Sequence, residues 1–245
     1  MSEISVRFLD HSGFWVTTPG CHLVFDYFRD DPPDGQRRVI EAGVMQAELL
    51  ADRPTIVLVS HGHADHYNPV IFKWRREADQ KIAFVVDKGV RLPSGATAKR
   101  LSPGGTCDVL GAKVTAYPST DLGCSFLVEV DGLSIFHAGD LNFWHWAEHS
   151  SAAEVSAAKA AFLAALEPMK GKAIDLAFFP VDGRLGAKAG LGAAHFAAAF
   201  CPRVLVPMHF TGHEDYARRF AEALTVDGVQ TWMPDHRGGA TTFEL

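Results

Sequence analysis

The sequence predicts an α/β fold in which two sheets pack face to face with helices outside, a four-layer α/β/β/α sandwich formed by residues 1–245 as one domain. Three observations lead there. Strands come in runs with helices after them. That pattern occurs about twice, once in each half of the chain. A continuous apolar strand, Thr55–Val59, of the kind buried on both faces, runs straight into a cluster of histidines.

The elements follow in order. Ile4–Leu9, Phe14–Thr18 and His22–Phe25 are short, β-rich and separated by Gly or Pro, the pattern of an antiparallel meander. Residues 37–51 have helical spacing through Val39, Ile40, Val44, Leu49 and Leu50. After the Thr55–Val59 strand, a helix is expected over Pro69–Glu77, with Asn68 as N-cap and Pro69 at the first helical position. Strands follow at Ile82–Val86, Lys113–Tyr117, Cys124–Val130 and Leu133–His137, the last two joined by the Asp131-Gly132 hairpin signal. Ala152–Leu166 is Ala-rich and helical, Ile174–Phe179 an apolar strand, Ala193–Phe200 a helix and Arg203–Pro207 a strand. Glu214–Leu224 reads as a helix and Gln230–Trp232 as a last short strand, while Gly/Ala-rich Asp182–Gly192 reads as a mobile loop.

Composition narrows the function. A chain of 245 residues, 47% hydrophobic and 21% charged, buries a large core and needs no staple for stability. With 23 Lys+Arg against 29 Asp+Glu the net charge is −6, and no Lys/Arg run marks a nucleic-acid partner. Cys21, Cys107, Cys124 and Cys201 are far apart, with no C-x-x-C pair, and read as buried thiols. The start lacks a secretory layout and no apolar run reaches the ~18 residues of a membrane span, so a cytoplasmic protein with no membrane partner is expected. Histidine is abundant, 12 residues with several in clusters beside Asp, which points to metal chemistry more than to packing.

The motif that carries the chemistry is His61-x-His63-x-Asp65-His66, at the carboxyl end of the apolar strand and before a helix. His61 and His63, two apart in an extended turn, can point the same way and chelate one ion. Asp65 and His66 turn the other way and can hold a second. Neutral imidazoles with a hard carboxylate suit Zn²⁺, Mn²⁺ or Fe. Four such fixed positions recur by accident in roughly one of 500 shuffled chains, so the motif is specific.

Here the sequence resembles the metallo-β-lactamase-fold hydrolases, whose hallmark is H-x-H-x-D-H after a buried strand. The resemblance extends over nearly the whole chain. It makes Asp140, at the end of Ile135-Phe136-His137-Ala138-Gly139-Asp140, the metal-bridging carboxylate. It makes His209, at the end of Val204-Leu205-Val206-Pro207-Met208-His209, a ligand of the second ion. The opening, His11-Ser12-Gly13-Phe14 with Val24-Phe25-Asp26, is similar to the ascorbate-phosphate lactonase-like branch. One position departs from the family pattern. Its middle His is due within Tyr117–Gly123, where this chain has none. Asp121 could replace it as a carboxylate ligand, with Ser119 or Thr120 orienting a water. Alternatively the first ion is missing, or is held by His61, His63 and Asp140 alone.

Around these residues, Trp144 is a candidate wall of the substrate pocket and His145 a candidate proton donor. His11 is a candidate to orient a ligand or touch substrate. Asp182 and Arg184, after an apolar strand, are placed to meet substrate, Arg184 through an anionic group; Asp182 could also hydrogen-bond a ligating His. His22, His137 and His195 read as structural. The expected activity is hydrolysis of a small-molecule ester, lactone or phosphodiester. One or two ions, most simply Zn²⁺, lower the pKa of water from ~15.7 toward ~7, and Asp65 orients the nucleophile or carries its proton. A di-iron redox protein on the same fold and a non-catalytic metal-binding sensor are the competing classes.

Overall fold

The computed structural model describes residues 2–77, 81–146 and 148–245. Its strands are β1 (Glu3–Asp10), β2 (Gly13–Thr17), β3 (His22–Phe25), β4 (Thr55–Val59), β5 (Ile82–Asp87), β6 (Lys99–Leu101) and β7 (Thr106–Val109). They continue with β8 (Ala112–Pro118), β9 (Cys124–Val130), β10 (Leu133–His137), β11 (Leu176–Pro180), β12 (Val204–Met208), β13 (Gln230–Thr231) and β14 (Ala240–Glu244). Among the described residues four α-helices accompany them: α1 (Ile71–Glu77), α2 (Ala152–Leu166), α3 (Leu191–Phe200) and α4 (Glu214–Ala223). None is long and apolar enough to cross a membrane.

Seven strands form each sheet, in the orders β14-β1-β2-β3-β4-β5-β6 and β13-β12-β11-β10-β9-β8-β7. The two sheets repeat one plan. In the first, β14 to β3 are antiparallel and β3 to β6 parallel. In the second, β7 to β10 are antiparallel and β10 to β13 parallel. This is the twofold pattern that the strand-and-helix order predicts.

Alternation decides which side chains meet between the sheets. Leu23 and Phe25 of β3, Ile56 and Leu58 of β4 and Val85 of β5 join the core shared with the second sheet. Val24, Val57, Val59, Phe84 and Val86 point outward, where they pack with Tyr27, Met45, Leu50, Ile71 and Trp74. Phe14, Phe25 and Phe178 meet across the sandwich, with ring centres 4.2 Å (Phe14–Phe178) and 5.9 Å (Phe25–Phe178) apart. β4 is buried along its whole length and flanked by parallel neighbours, so its carboxyl end is a fixed platform.

Where local signals are strong, the elements lie close to expectation. α2 covers Ala152–Leu166 and begins with a capping box between Ser151 and Glu154. Asp131 and Gly132 both have positive φ, 51° and 78°, as a type I′ turn demands. Asn68 caps the turn before α1, its Oδ1 accepting from the Val70 amide at 2.9 Å.

Three expectations are corrected. Residues 37–51 do not form one helix: two 3₁₀ turns, Ile40–Ala42 and Ala47–Leu50, flank Gly43, whose φ of 69° ends the first. A Cβ at Gly43 would press on the Leu9 carbonyl, so the backbone passes closer than a helix with side chains permits. Asp182–Gly192 is more ordered than a featureless loop. Gly183–Lys188 makes 3₁₀ turns capped by the Asp182 side chain, Leu185 is buried, and α3 begins at Leu191. Of the four cysteines, all free thiols, Cys21 and Cys124 are buried but Cys107 is partly exposed and Cys201 exposed.

Candidate metal centre

All the residues of the H-x-H-x-D-H motif and its partners sit at carboxyl ends of strands in the parallel halves of the two sheets, or at the β1–β2 turn beside them. In open α/β sheets such ends are where ligands bind. β4 delivers His61, His63, Asp65 and His66; β10, β11 and β12 deliver Asp140, Asp182 and His209.

The side chains gather in two groups. His61, His63 and Asp140 can each offer one donor atom to a first point, and His11, Asp65, His66 and His209 to a second, the atoms in each group lying within 4.8 Å of one another. Asp140 stands between the groups. Its Oδ2 is 3.3 Å from His61 Nε2, and its Oδ1 is 3.0 Å from His66 Nε2 and 3.4 Å from His209 Nε2.

Hydrogen bonds on the far side of each ring fix which nitrogen faces inward. His66 Nδ1 donates to Asp26 Oδ2 at 2.7 Å, and His209 Nδ1 donates to Asp182 Oδ2 at 3.0 Å. His61 Nδ1 donates to Ser60 Oγ at 3.0 Å, and that hydroxyl donates to Asp26 Oδ2 at 2.6 Å. Carboxylates only accept, so the three rings spend their protons outward and turn Nε2 lone pairs toward Asp140. Lone pairs facing a carboxylate repel unless a cation stands among them. Among the described residues His66 Nε2, Asp140 Oδ1 and His11 Nε2 are buried without a hydrogen-bond partner. The donor set of imidazoles and carboxylates therefore fits a divalent cation.

The charge balance is consistent with that fit. Burial alone would lower His66, but Asp140, 3.0 Å from its Nε2, and Asp26, which accepts from its Nδ1, push it up to about 10. Burial would raise Asp140, yet His66, 3.0 Å away, and then His209 and His61 hold it well below the usual carboxylate range. His11 is pushed down to about 2, first by burial and then by His209 and His66, and stays neutral.

Backbone geometry supports this placement. Gly139, at φ 53°, lets the end of β10 pass the end of β4; a Cβ there would lie 2.8 Å from Ser60 Cβ and 2.9 Å from the Cys124 carbonyl. His11 and His209 themselves have left-handed φ values of 52° and 62°, uncommon for non-glycine residues and concentrated at functional sites.

Beside the two groups lies a cleft of about 430 Å³ lined by His63, Asp65, Thr120, Asp121, Trp144, Trp146 and Arg184 among others. Trp144 and Trp146 stack with ring centres 6.0 Å apart, and the Arg184 guanidinium lies 5.7 Å from the Trp146 ring centre. Trp144 Nε1 also donates to the Asp140 carbonyl at 3.1 Å. A larger cleft of about 790 Å³, near Phe72, Lys73 and Phe84, includes no residue of either donor group.

Several expected roles change. Asp121 does not take the place of the missing imidazole: it joins neither donor group, is exposed, and spends Oδ1 on the Leu122 amide at 2.9 Å. Thr120 is tied to the backbone of Asn142, donating to its carbonyl at 2.7 Å and accepting from its amide at 2.9 Å. His145 lies outside both groups and is not among the residues lining the cleft; its ring packs 5.4 Å from Phe143. Asp182 is buried against His209 and Arg184 and accepts from the His209 ring, the hydrogen bond expected of it as an alternative to meeting substrate. His11 stands among the second donor group. Asp26, which the sequence marks only as the end of the Val24-Phe25-Asp26 resemblance with no role attached, is the acceptor common to His66 and Ser60; it closes an apolar strand, as Asp140 closes another.

A model described as the beta-lactamase superfamily domain matches residues 5–155. A UPF0173 metal-dependent hydrolase of Nitratidesulfovibrio vulgaris is 29% identical over 232 residues, covering 87% of this chain and 84% of that protein. One of Thermococcus onnurineus is 26% identical over 221 residues, covering 84% of each. Among solved structures, Igni18, a metallo hydrolase from Ignicoccus hospitalis, superposes with a TM-score of 0.69 at 18% identity, covering 99% of both chains. More than half of the chain lies within the matched model, and it therefore belongs to the beta-lactamase superfamily.

Proposed function

We propose that the protein hydrolyses a small-molecule ester, lactone or phosphodiester with one or two divalent ions, zinc before manganese or iron. The observation that carries this reading is the convergence of inward-facing Nε2 atoms and the Asp140 carboxylate on buried points with unpartnered polar atoms, open to a cleft with an aromatic wall. Divalent ions held there supply a nucleophile at neutral pH by acidifying water and neutralise the charge that develops on the attacked group.

The chain's own residues do the rest. Asp26, through Ser60 and His66, and Asp182, through His209, hold the ligand rings in register. Asp65 is half-exposed to the cleft and is placed to take a proton from the attacking water. Arg184 commits Nε and Nη2 to Asp182; among the described residues Nη1 has no hydrogen-bond partner, and it meets an anionic part of the substrate. Trp144 and Trp146 receive a planar or apolar part. The cleft is too small for a duplex and the chain is acidic, which favours a small molecule over nucleic acid. Four free cysteines suit a reducing compartment, and cytoplasm is the setting we propose.

The test is elemental analysis of protein purified without chelator, followed by a panel of neutral and anionic esters, lactones and phosphodiesters. Bound metal with turnover of at least one panel class supports the reading. Metal with dioxygen consumption and no hydrolysis would move the protein to the redox class.

A further inference from the structure

We propose that His11 is a direct ligand of the ion in the second group, so that the third imidazole missing from the first ion is supplied to the second and the second site is the tighter of the two. The inference rests on the metal-centre reading above and concerns how the ions are shared.

Three observations carry it. First, His11 Nε2 lies within 4.8 Å of the donor atoms of Asp65, His66 and His209, 3.6 Å from Asp65 Oδ2, and its ring centre is 4.0 Å from that of His209. Second, that nitrogen is buried and has no hydrogen-bond partner among the described residues, a costly state for a ring meant only to pack. Third, the backbone is built to hold it there. His11 occupies the left-handed region at the β1–β2 turn, and its carbonyl accepts from the His209 amide at 2.9 Å, locking one imidazole's backbone to the other's.

The first group has no such reinforcement. His61, His63 and the shared Asp140 are its only donors among the described residues, His63 is exposed, and the segment where a third imidazole is expected holds Thr120 tied to Asn142 and an outlying Asp121. The second group has three imidazoles, Asp65 and a share of Asp140. More nitrogen donors favour the second site for a borderline ion such as Zn²⁺ or Co²⁺.

The experiment titrates metal-free, full-length protein with Co²⁺, read by its visible absorption, and with Zn²⁺ against a chromophoric chelator. The native protein is expected to fill in two steps, tight then weak. His11→Gly keeps the positive φ without a side chain, and His11→Asn keeps it with a residue that tolerates that region. Both are expected to weaken the tight step about tenfold or more and to change the Co²⁺ band, with added imidazole restoring the band in His11→Gly. His63→Ala is expected to lose the weak step and keep the tight one. Both steps and the band unchanged in folded His11→Gly and His11→Asn would overturn the assignment, whatever happens to turnover; loss of the tight step in His63→Ala would overturn the ranking. A native protein that takes up neither ion would instead refute the underlying metal-centre reading.

Discussion

Asp26 shows how much of the centre depends on a residue that need not touch an ion. Its two oxygens accept the Ser60 amide at 2.7 Å, the Ser60 hydroxyl at 2.6 Å and His66 Nδ1 at 2.7 Å, all in a fully buried pocket. Asp26→Asn replaces one acceptor with a donor, so either the Ser60 amide, or His66 together with the Ser60 hydroxyl, loses its partner. The expected outcome is metal affinity lowered by about 10–100-fold with the fold retained, measured by chelator competition and circular dichroism. The H-x-H-x-D-H cluster was legible because its four ligands are contiguous. Asp26 was not, because its role exists only when Phe25 pairs with Leu58 and brings the ends of β3 and β4 side by side. His22, at the other end of β3, gives a residue-scale test free of the metal. It is buried, takes a hydrogen bond from Trp15 Nε1 at 3.1 Å and meets Asp52 at 2.7 Å; burial is the main reason its pKa falls below the ordinary value. A base with a depressed folded pKa adds stability that is full above its unfolded value near ~6.5 and is lost as pH falls below it. Urea unfolding of chelator-treated protein from pH 7 to 5 should therefore show a shallower loss in His22→Gln than in the native chain, by up to about 1.4 kcal/mol per pH unit.

Elements were legible where one period dominated. β4, β9 and β10 are buried apolar runs, and their predicted bounds coincide with the structure. Edge strands were not foreseen: β6, β7 and β14 are short or polar and form through pairing with β5, β8 and β1, information a local pattern does not hold. The apolar spacing over residues 37–51 reported correctly that Ile40, Val44 and Leu50 are buried, but two 3₁₀ turns broken by Gly43 satisfy it as well as a helix. Asp121 failed for a related reason: proximity in sequence to the β8–β9 turn said nothing of which way its carboxylate is spent. At this scale Gly139 is the decisive turn. Gly139→Ala would force a methyl against Ser60 and the Cys124 carbonyl at a φ that Ala disfavours, costing about 1–3 kcal/mol. Denaturant unfolding measures that cost. Because Asp140 follows directly, bound metal per chain should fall with it, whereas Gly171, in open space but also at positive φ, should lose some stability on the same change and keep its metal.

At the scale of the whole molecule, the two donor groups draw on both sheets. His61, His63, Asp65 and His66 leave the first sheet, Asp140 and His209 the second, and His11 comes from the turn between β1 and β2. An ion in either group thus ties one sheet to the other at the end of the sandwich where three carboxylates, Asp26, Asp140 and Asp182, lie buried. The unfolded chain keeps the local H-x-H-x-D-H segment but loses Asp140 and His209, which are distant in sequence, so metal binds the native state preferentially. Each ion present at about 100 times its dissociation constant then adds about 2.7 kcal/mol to stability. Removing metal should lower the melting temperature, and restoring Zn²⁺ should return it, with the shift growing with free metal concentration. His209→Ala should shrink that shift more than any substitution on the surface of α2, because it removes one of the second sheet's donors. A melting temperature indifferent to chelator at neutral pH would mean that the sheets are held together by the Phe14, Phe25 and Phe178 core alone and that the cations add nothing to their union.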